Sequence, residues 1–489
     1  MEYPMKRKLT ILSLAIISLI LISTSLYSQS PKRFSKEEIK SDLKYMRDTL
    51  EVVHYDLYAF TKKEVFDNAY NKIASLINDS LTLMQVYRLF QPYLAQAKMS
   101  ECVIFPPFGD YWGIYLPNSG TVFPLNLGFS KGKVFVKDNF SNESQISKGD
   151  EITSFNGKPI KEFMEGVYNF MSGWNEYYKN SYLENANFSR FYWFIYGKCD
   201  TFILKIRKKD GREITVQLPA ISGWDYEGKL SKQYPPRKPP REFRFINNDI
   251  AYLYPGEFVN NPGKWDSLSQ ATRWDNTEFC HFIDSSFSAF LKMKAKSLII
   301  DLRNNLGGSN TFSDHMISYI ASKPFGFSSR LKVRTSRIIK DFWKNINIPS
   351  VEELKQAILS HENGSRFEVS LPAYQPQPDS IRFKGKVYVL INRFSFSNTS
   401  SVANIIQDYW FGKLIGEETP DFISAYGATQ QFTLPNTQIA VSFPKGQFIR
   451  PSGDETPQSV KPDYQVDDNT SDGKDEILEY TLDLIKKGI

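Results

Sequence analysis

The stretch Val387–Thr419, VYVLINRFSFSNTSSVANIIQDYWFGKLIGEET, decides the fold of this chain. It opens with an apolar and β-branched run up to Ile391, which is typical of a fully buried strand. A polar turn follows, and apolar residues then recur at helical spacing from Val402 to Tyr409. The stretch therefore predicts a buried strand, a tight turn and a helix, with Ser397 at the start of the helix.

The turn around Ser397 has two chemical interpretations. A serine between a buried strand and a helix has its hydroxyl close to backbone N–H groups and to the positive end of the helix dipole. This environment suits a nucleophile whose attack generates an oxyanion. Serines at such a position are also good helix caps and turn formers. The turn alone therefore leaves a catalytic and a structural interpretation open.

A second stretch of strand and turn, Ser297–Asn310, reads SLIIDLRNNLGGSN. Its apolar run from Leu298 to Leu302 predicts another buried strand, and the turn after it ends in Gly307-Gly308. Paired glycines allow positive φ and close backbone approach, so their N–H groups can point at a ligand oxygen. Because both turns follow buried parallel strands of one predicted sheet, we expect them to face each other across a cleft.

The two stretches together resemble a known family. The pattern D-L-R-x-N-x-G-G in Asp301–Gly308 and the F-S-F-S run in Phe394–Ser397 resemble the tail-specific (C-terminal processing) serine peptidases, including their tricorn-like members. The resemblance covers roughly the C-terminal half of the chain. It implies an α/β fold with a crotonase/Clp protease-like catalytic core, and hydrolysis of peptide bonds by a serine nucleophile.

The resemblance also implies roles for particular residues. Ser397 occupies the family's nucleophile position, and Ser395 is the fallback assignment. The backbone N–H of Asn398 and one N–H from Gly307-Gly308 would hold the oxyanion. An acyl-transfer site needs both donors about 3 Å from that oxygen.

The general base is where the chain departs from the family pattern. Many members place a lysine in a G-K-G-T-x-Q segment, and here Tyr426 stands in that position. Tricorn-like members use a histidine from a D-G-H segment, and here Ser100 stands in its place. A serine hydroxyl accepts no proton near neutral pH, and a tyrosine does so only if its pKa is strongly lowered. His54, at the end of the first predicted helix, is interpreted as a packing or capping residue.

Two acidic residues also match family positions. Asp408 lies on the helix after the nucleophile, where a solvated surface carboxylate is an equally good interpretation. Glu455 is the candidate for the acidic residue of the tricorn-like members. The alignment is ambiguous by one position and does not decide between Glu455 and Thr456.

Composition and charge exclude several function classes. With 489 residues, 41% hydrophobic and 23% charged, the chain is long enough for two or three ordinary globular domains. A net charge of +6 is small for this length, so we expect no nucleic-acid partner. The three cysteines are widely spaced, which allows one disulfide or three free thiols and predicts no metal site. We expect no cofactor.

The N-terminus is typical of a secretory signal peptide, residues 1–28. Lys6-Arg7-Lys8 form a basic region, and an uncharged, mostly apolar run follows up to Ile22. That run is short for a membrane-spanning helix, so a membrane contact through an uncleaved leader is the less favoured alternative. We therefore expect an exported protein, in a bacterial periplasm or outside the cell.

Three further units are predicted before the catalytic domain. Residues 29–105 show helical periodicity, with Ser35 and Glu38 forming a capping box. Residues 106–220 change to short strands, and the run ISKGDEITSFNGKPI at Ile146–Ile160 resembles the PDZ domains of exported proteases. Such domains bind a peptide C-terminus as an added strand, whereas a small β-domain without a peptide site is the alternative. Residues 221–248, with the run YPPRKPP, are interpreted as a linker, and residues 249–489 as the catalytic domain.

Two functions from different classes follow. The first is an exported serine peptidase that acts on unfolded or C-terminal segments of peptide and protein substrates. The second is a catalytically weakened relative that binds peptides or serves as a scaffold. The missing lysine or histidine favours the second, whereas Ser397 and the intact Gly307-Gly308 turn favour the first.

Overall fold

The computed structural model describes residues 32–186, 188–234, 241–260, 275–346, 352–467 and 474–489. The predicted signal peptide lies outside these residues. Within the described ranges, no helix combines the length and the apolar character needed to cross a membrane.

Three helices form the N-terminal unit, as the sequence predicts. Its elements are strand β1 (Arg33–Phe34), helix α1 (Lys36–Val53), helix α2 (Lys63–Leu76), strand β2 (Leu81–Thr82) and helix α3 (Leu83–Ala95). The Ser35 hydroxyl accepts from the N–H of Glu38, and the Glu38 carboxylate accepts from the N–H of Ser35. This capping box satisfies N–H groups that the first turn of α1 leaves without partners. His54 ends α1 and is fully buried.

An antiparallel sheet and three longer helices form the middle unit, preceded by a short helix (Phe108–Asp110) and a π-helix (Tyr111–Tyr115). Its strands are β3 (Thr121–Val122), β4 (Leu125–Ser130), β5 (Lys133–Asn139), β6 (Glu151–Phe155), β7 (Lys158–Pro159), β8 (Thr201–Arg207), β9 (Glu213–Pro219) and β10 (Ile221–Ser222). The helices α4 (Ile160–Tyr168), α5 (Glu176–Ala186) and α6 (Phe188–Tyr196) lie between β7 and β8. The sheet order is β4-β5-β6-β8-β9, so β4 lies at an edge. The predicted turn at Asn156-Gly157 joins β6 to β7, with both residues at positive φ.

Most of the predicted linker, residues 221–248, is folded, and the linker prediction is corrected accordingly. Helix α7 (Gly223–Gln233) begins at the N-cap Ser222, and strand β11 (Glu242–Asn247) pairs with the first strand of the catalytic domain. The Tyr226 hydroxyl, fully buried on α7, donates to Asn126 Oδ1 at 2.6 Å and fixes the helix to the middle unit. Residues 235–240, in the proline-rich run, lie outside the described residues.

The catalytic domain contains two sheets. Its strands are β12 (Ile250–Tyr254), β13 (Ser297–Asp301), β14 (Arg330–Arg334), β15 (Arg366–Val369), β16 (Lys386–Ile391), β17 (Lys413–Gly416), β18 (Phe422–Ile423), β19 (Tyr426–Thr433), β20 (Ala440–Ile449), β21 (Gln458–Ser459) and β22 (Tyr464–Gln465). Its helices are α8 (Thr277–Lys292), α9 (Asn310–Ser318), α10 (Arg337–Trp343), α11 (Glu352–Ser360), α12 (Asn398–Tyr409) and α13 (Glu476–Lys486). The central sheet has the order β11-β12-β13-β16-β17-β22 and is parallel from β12 to β22. The second sheet, β15-β14-β20-β19, is antiparallel.

Helices cover both faces of the central sheet. Val387 and Val389 of β16 pack in one core with residues of α8, α9 and α12, and Tyr388 and Leu390 pack on the other face against α13. This double burial explains the continuous apolar run of the strand in the sequence. The carboxyl ends of β13 and β16 consequently lie side by side at one edge of a rigid layer.

The N-terminal unit packs on the second sheet and shares a core with it. The Asp42 carboxylate, fully buried on α1, accepts from the N–H of Thr437 at 2.8 Å and from its hydroxyl at 2.6 Å. Val103 and Ser442 form a bridge between the two units. The three cysteines are free thiols, and Cys102 is buried.

Candidate active site

The two predicted turns lie in contact at the end of the central sheet. Strands β13 and β16 are adjacent and parallel, with Asp301 opposite Leu390. A Cβ atom on Gly307 would lie 2.8 Å from Ser397 Cβ and 2.9 Å from Asn398 N. Since real Cβ atoms do not approach so closely, only glycine allows the two turns this contact.

The residues of the D-L-R-x-N-x-G-G pattern hold the glycine turn in place. Arg303 donates to Asp301 through Nε at 3.0 Å and Nη2 at 2.7 Å, and through Nη1 to Asp475 at 2.6 Å. Asn305 Nδ2 donates to the Gly256 carbonyl at 2.7 Å, and Asn305 Oδ1 accepts from the N–H of Gly307 at 2.9 Å. These hydrogen bonds hold the turn in place, and none of them uses the N–H of Gly308.

Ser397 is exposed, and its backbone is strained. It stands at the N-cap of α12 with φ 55° and ψ −127°, a region that L-residues rarely adopt. Ser395 is fully buried, and its hydroxyl donates to the Leu302 carbonyl at 2.9 Å. Of the two serine candidates, only Ser397 is accessible to a substrate.

The neighbouring backbone offers two donors for an oxyanion. The N–H of Gly307 is already bonded to Asn305. Across the described residues, no hydrogen-bond acceptor is found for the N–H of Gly308 or of Asn398. Asn398 is fixed from its side chain, whose Nδ2 donates to Ser313 Oγ at 3.0 Å. The glycine pair therefore contributes Gly308 as its free donor, opposite Asn398.

A cavity of about 270 Å³ contains this turn. It lies between the central sheet, the second sheet and the segment after α3. Its lining includes Ser100, Glu101, Trp174, Ser397, Asp421 and Tyr426.

Tyr426, the residue at the family's lysine position, is unsuited to be the general base. Its ring packs edge-on against Phe60, and its hydroxyl lies 3.5 Å from Asp56 Oδ2. Burial, together with the Asp56 carboxylate, raises the pKa of Tyr426 above its ordinary value. A phenol needs a lowered pKa to take a proton near neutral pH, so the environment acts in the wrong direction.

Replacing Tyr426 by lysine should not raise the reactivity of Ser397. The new amine would replace a hydroxyl beside Asp56 and would form an ion pair there, with its proton held more tightly. The rate of labelling by a fluorophosphonate, which modifies activated serines, measures the effect. Tyr426→Phe is the matched control, since it keeps the ring and removes the hydroxyl. Faster labelling of Tyr426→Lys than of the wild type and of Tyr426→Phe would contradict the expectation.

The two predicted acidic residues do not line the cavity. Asp408 is buried in an ion pair with Arg450 at 2.7 Å and also accepts from the N–H of Ser452 at 3.0 Å. Glu455 is half exposed and pairs with Arg330 and Lys332. Their carboxylates therefore form ion pairs outside the cavity, contrary to their predicted place in the site.

Two other carboxyl groups line the cavity, and the sequence did not predict either. Asp421, directly before β18, accepts from the N–H of Ser397 through Oδ2. Glu101, next to the family's histidine position, accepts from the hydroxyl of Thr429 at 2.9 Å. Burial raises the pKa of both groups, that of Asp421 to about 7, and the negative charge of Glu101 adds to the effect on Asp421. The one sequence indication was the position of Glu101 beside Ser100.

Comparison with protein families gives a match in this part of the chain. Residues 276–466 match the family model described as peptidase family S41. This part of the chain belongs to peptidase family S41. The predicted tail-specific peptidase family and the predicted α/β class are thereby confirmed. At the level of the family, the S41 domain is that of a serine-type peptidase.

Solved structures with the same fold span nearly the whole chain. Mature CPAF complexed with lactacystin is 15% identical, with a TM-score of 0.60, and 92% of this chain and 98% of that chain are covered. A serine-to-alanine variant of CPAF is 14% identical, with a TM-score of 0.61, and 92% of this chain and 97% of that chain are covered. At such identity the likeness shows the fold alone. Among curated proteins, no sequence matches significantly.

Proposed function

We propose that the chain is an exported serine peptidase that cleaves unfolded or C-terminal peptide segments with Ser397 as nucleophile. The observation that carries the proposal is the contact between Ser397 and the Gly307-Gly308 turn. An accessible serine lies there beside two N–H groups that have no partner in the described residues, those of Gly308 and Asn398. Donors preorganised where negative charge develops are usually the largest single contribution to such catalysis.

The middle unit supports a peptide or unfolded protein as the substrate. A cavity of about 810 Å³ lies between the edge strand β4, helix α5 and the turn before Ser397. Arg393 of that turn donates to the Phe129 carbonyl on β4 at 2.8 Å and pairs with Glu417. A PDZ-like unit binds peptides by adding a strand at such an edge. We propose that β4 receives the substrate and that a free C-terminus is preferred.

The second candidate is the weakened relative that binds peptides without efficient cleavage. Tyr426 and Ser100 at the two family positions for the base favour it. The peptidase requires a reactive hydroxyl at Ser397, whereas the binding protein does not. Export of the chain is part of both proposals.

The test compares wild type with Ser397→Ala on an unfolded protein such as casein and on a fluorophosphonate. We expect slow but measurable labelling and cleavage by the wild type, and neither by Ser397→Ala, because the oxyanion donors persist in both and only the nucleophile is lost. Equal cleavage by the two proteins, or no labelling of Ser397, would contradict the peptidase and leave the binding protein. Circular dichroism of both proteins checks that the fold is retained.

A further inference from the structure

The chain has neither lysine nor histidine at the two family positions for the base, which hold Ser100 and Tyr426, yet two carboxyl groups line the cavity of Ser397. We propose that the carboxylate of Asp421 accepts the proton of the Ser397 hydroxyl during attack, and that Glu101 tunes this acceptor. The inference rests on the proposed peptidase function, because a proton acceptor has a role only if Ser397 attacks a substrate.

The first support is the contact between Asp421 and the backbone of the nucleophile. Asp421 Oδ2 accepts a hydrogen bond from the N–H of Ser397. The side chain of a serine turns about χ1 among three staggered positions around its own backbone. A carboxylate held against the N–H is therefore within a single rotation of the hydroxyl, which is the reach that a general base needs.

The second support is the free acceptor capacity of Asp421. The Ser400 hydroxyl lies 3.4 Å from the same carboxylate oxygen, but it donates to the Ser395 carbonyl at 2.6 Å. Its single proton is thus directed away from Asp421. An ionised carboxylate accepts about four hydrogen bonds, so the contact with the Ser397 N–H leaves room for the hydroxyl.

The third support is the fixed position of Asp421. Two residues before it, the N–H of Thr419 donates to the Val460 carbonyl at 3.0 Å. Directly after it, Phe422 pairs with Ser459 and stacks on Trp174 with ring centroids 5.4 Å apart. These contacts on both sides of Asp421 fix its carboxylate beside Ser397. Little conformational freedom is therefore lost during the reaction.

The surroundings also give Asp421 a suitable proton affinity. Burial and the charge repulsion of Glu101 raise the pKa of Asp421 to about 7, against the lowering by its hydrogen bond from the Ser397 N–H. Tyr178 of α5 also faces Asp421, and burial raises the pKa of Tyr178 well above its usual range, so it stays neutral. A base with a pKa near the working pH is the most effective proton acceptor.

Asp421 carries one proton through acylation and deacylation. As the Ser397 Oγ–carbon bond forms, the hydroxyl proton moves to Asp421 and the carbonyl electron pair moves onto the oxygen held by the N–H groups of Gly308 and Asn398. When the C–N bond breaks, Asp421 gives its proton to the leaving amine. Water then attacks the acyl ester, loses a proton to Asp421, and the Ser397 hydroxyl regains that proton as the acid leaves.

The experiment measures the rate of fluorophosphonate labelling for wild type, Asp421→Asn and Asp463→Asn at several pH values. Asp463, which accepts from the N–H of Leu414 at 2.8 Å, is a control carboxylate outside the cavity. We expect Asp421→Asn to label about a hundredfold more slowly, the low end of what general-base catalysis contributes. The asparagine amide oxygen still accepts from the Ser397 N–H, so we expect an unchanged Tm. An unchanged Tm shows that the slower labelling does not come from misfolding. Equal labelling of Asp421→Asn would overturn the proposal, and faster labelling would overturn it and identify Asp421 as a group that blocks the site.

The pH profile gives a second, independent readout. The base acts only when ionised, so wild-type labelling should rise with pH through about 7, the pKa of Asp421, and then level off. Glu101→Gln removes the charge repulsion and should move this midpoint to lower pH. A midpoint that stays in place in Glu101→Gln, or persists in Asp421→Asn, would overturn the proposal while the peptidase function stands. No labelling of the wild type at any pH would overturn both.

Discussion

Replacing Gly307 by alanine should lower the rate of fluorophosphonate labelling at Ser397 by about a hundredfold or more. The added methyl group would lie 2.8 Å from Ser397 Cβ and 2.9 Å from Asn398 N, so the two turns must separate. Loss of one oxyanion donor alone costs about a hundred- to a thousandfold in rate. Here the added methyl group displaces Ser397 together with the N–H donor of Asn398. We therefore expect a loss at least as large as that caused by removing one donor.

The control for this variant is Gly364→Ala. Gly364 has φ 89°, close to the 97° of Gly307, but a Cβ on Gly364 would meet no atom within 4 Å. Both variants share the cost of a left-handed backbone, about 1–2 kcal/mol. Only Gly307→Ala should lose labelling. If both variants label like the wild type, the close contact between the turns has no catalytic importance.

Replacing Arg303 by leucine should lower the unfolding free energy of the catalytic domain by about 3–5 kcal/mol. Arg303 is buried and bonded to Asp301 and Asp475, and Asp301 is fully buried. Without the guanidinium, the Asp301 carboxylate stays in the core, and among the described residues the Tyr252 hydroxyl, 2.7 Å away, is its one remaining side-chain donor. Because about 1 kcal/mol shifts the Tm of a domain of this size by 2–4 °C, a fall of roughly 10 °C is expected in a thermal scan.

The matched control is Arg212→Leu. Arg212 and Asp210 have the same D-x-R spacing, and the N–H of each arginine donates to the aspartate two residues earlier at 3.0 Å. The side chains of this pair, however, are 74% and 53% exposed. Exposed pairs contribute about 0–1 kcal/mol, so Arg212→Leu should change the Tm little. Equal losses of Tm in the two variants would show that burial does not make the Asp301–Arg303 pair more stabilising than an exposed pair.

The sequence predicts the parts of the site that lie close together along the chain. The apolar run before Ser397 and the run before Gly307 each read as buried strands, and adjacent parallel strands necessarily bring their turns together. The need for glycine at positive φ is local as well, and it is visible in the pattern itself. The burial of β16 on both faces also follows from its continuous apolar run.

The carboxyl groups of the cavity escape such a prediction because they come from distant segments. Glu101 and Asp421 are separated by more than three hundred positions, and only the packing of the N-terminal unit on the catalytic domain places both beside Ser397. Asp408 and Glu455 lie outside the cavity for a different reason, because they pair with basic side chains. Whether a carboxylate faces a cavity or an arginine such as Arg450 depends on contacts that no spacing encodes.

The backbone of Ser397 has a bearing on how such a sequence changes over time. At φ 55° and ψ −127°, glycine would fit this turn with less strain than any residue with a side chain, since only glycine visits this region freely. Random substitution to glycine would therefore relax the turn and stabilise the folded chain. Serine at this position keeps a hydroxyl in the turn at the cost of the strain. In a chain that had ceased to use the hydroxyl, mutational drift would be expected to erase this residue before most of its neighbours.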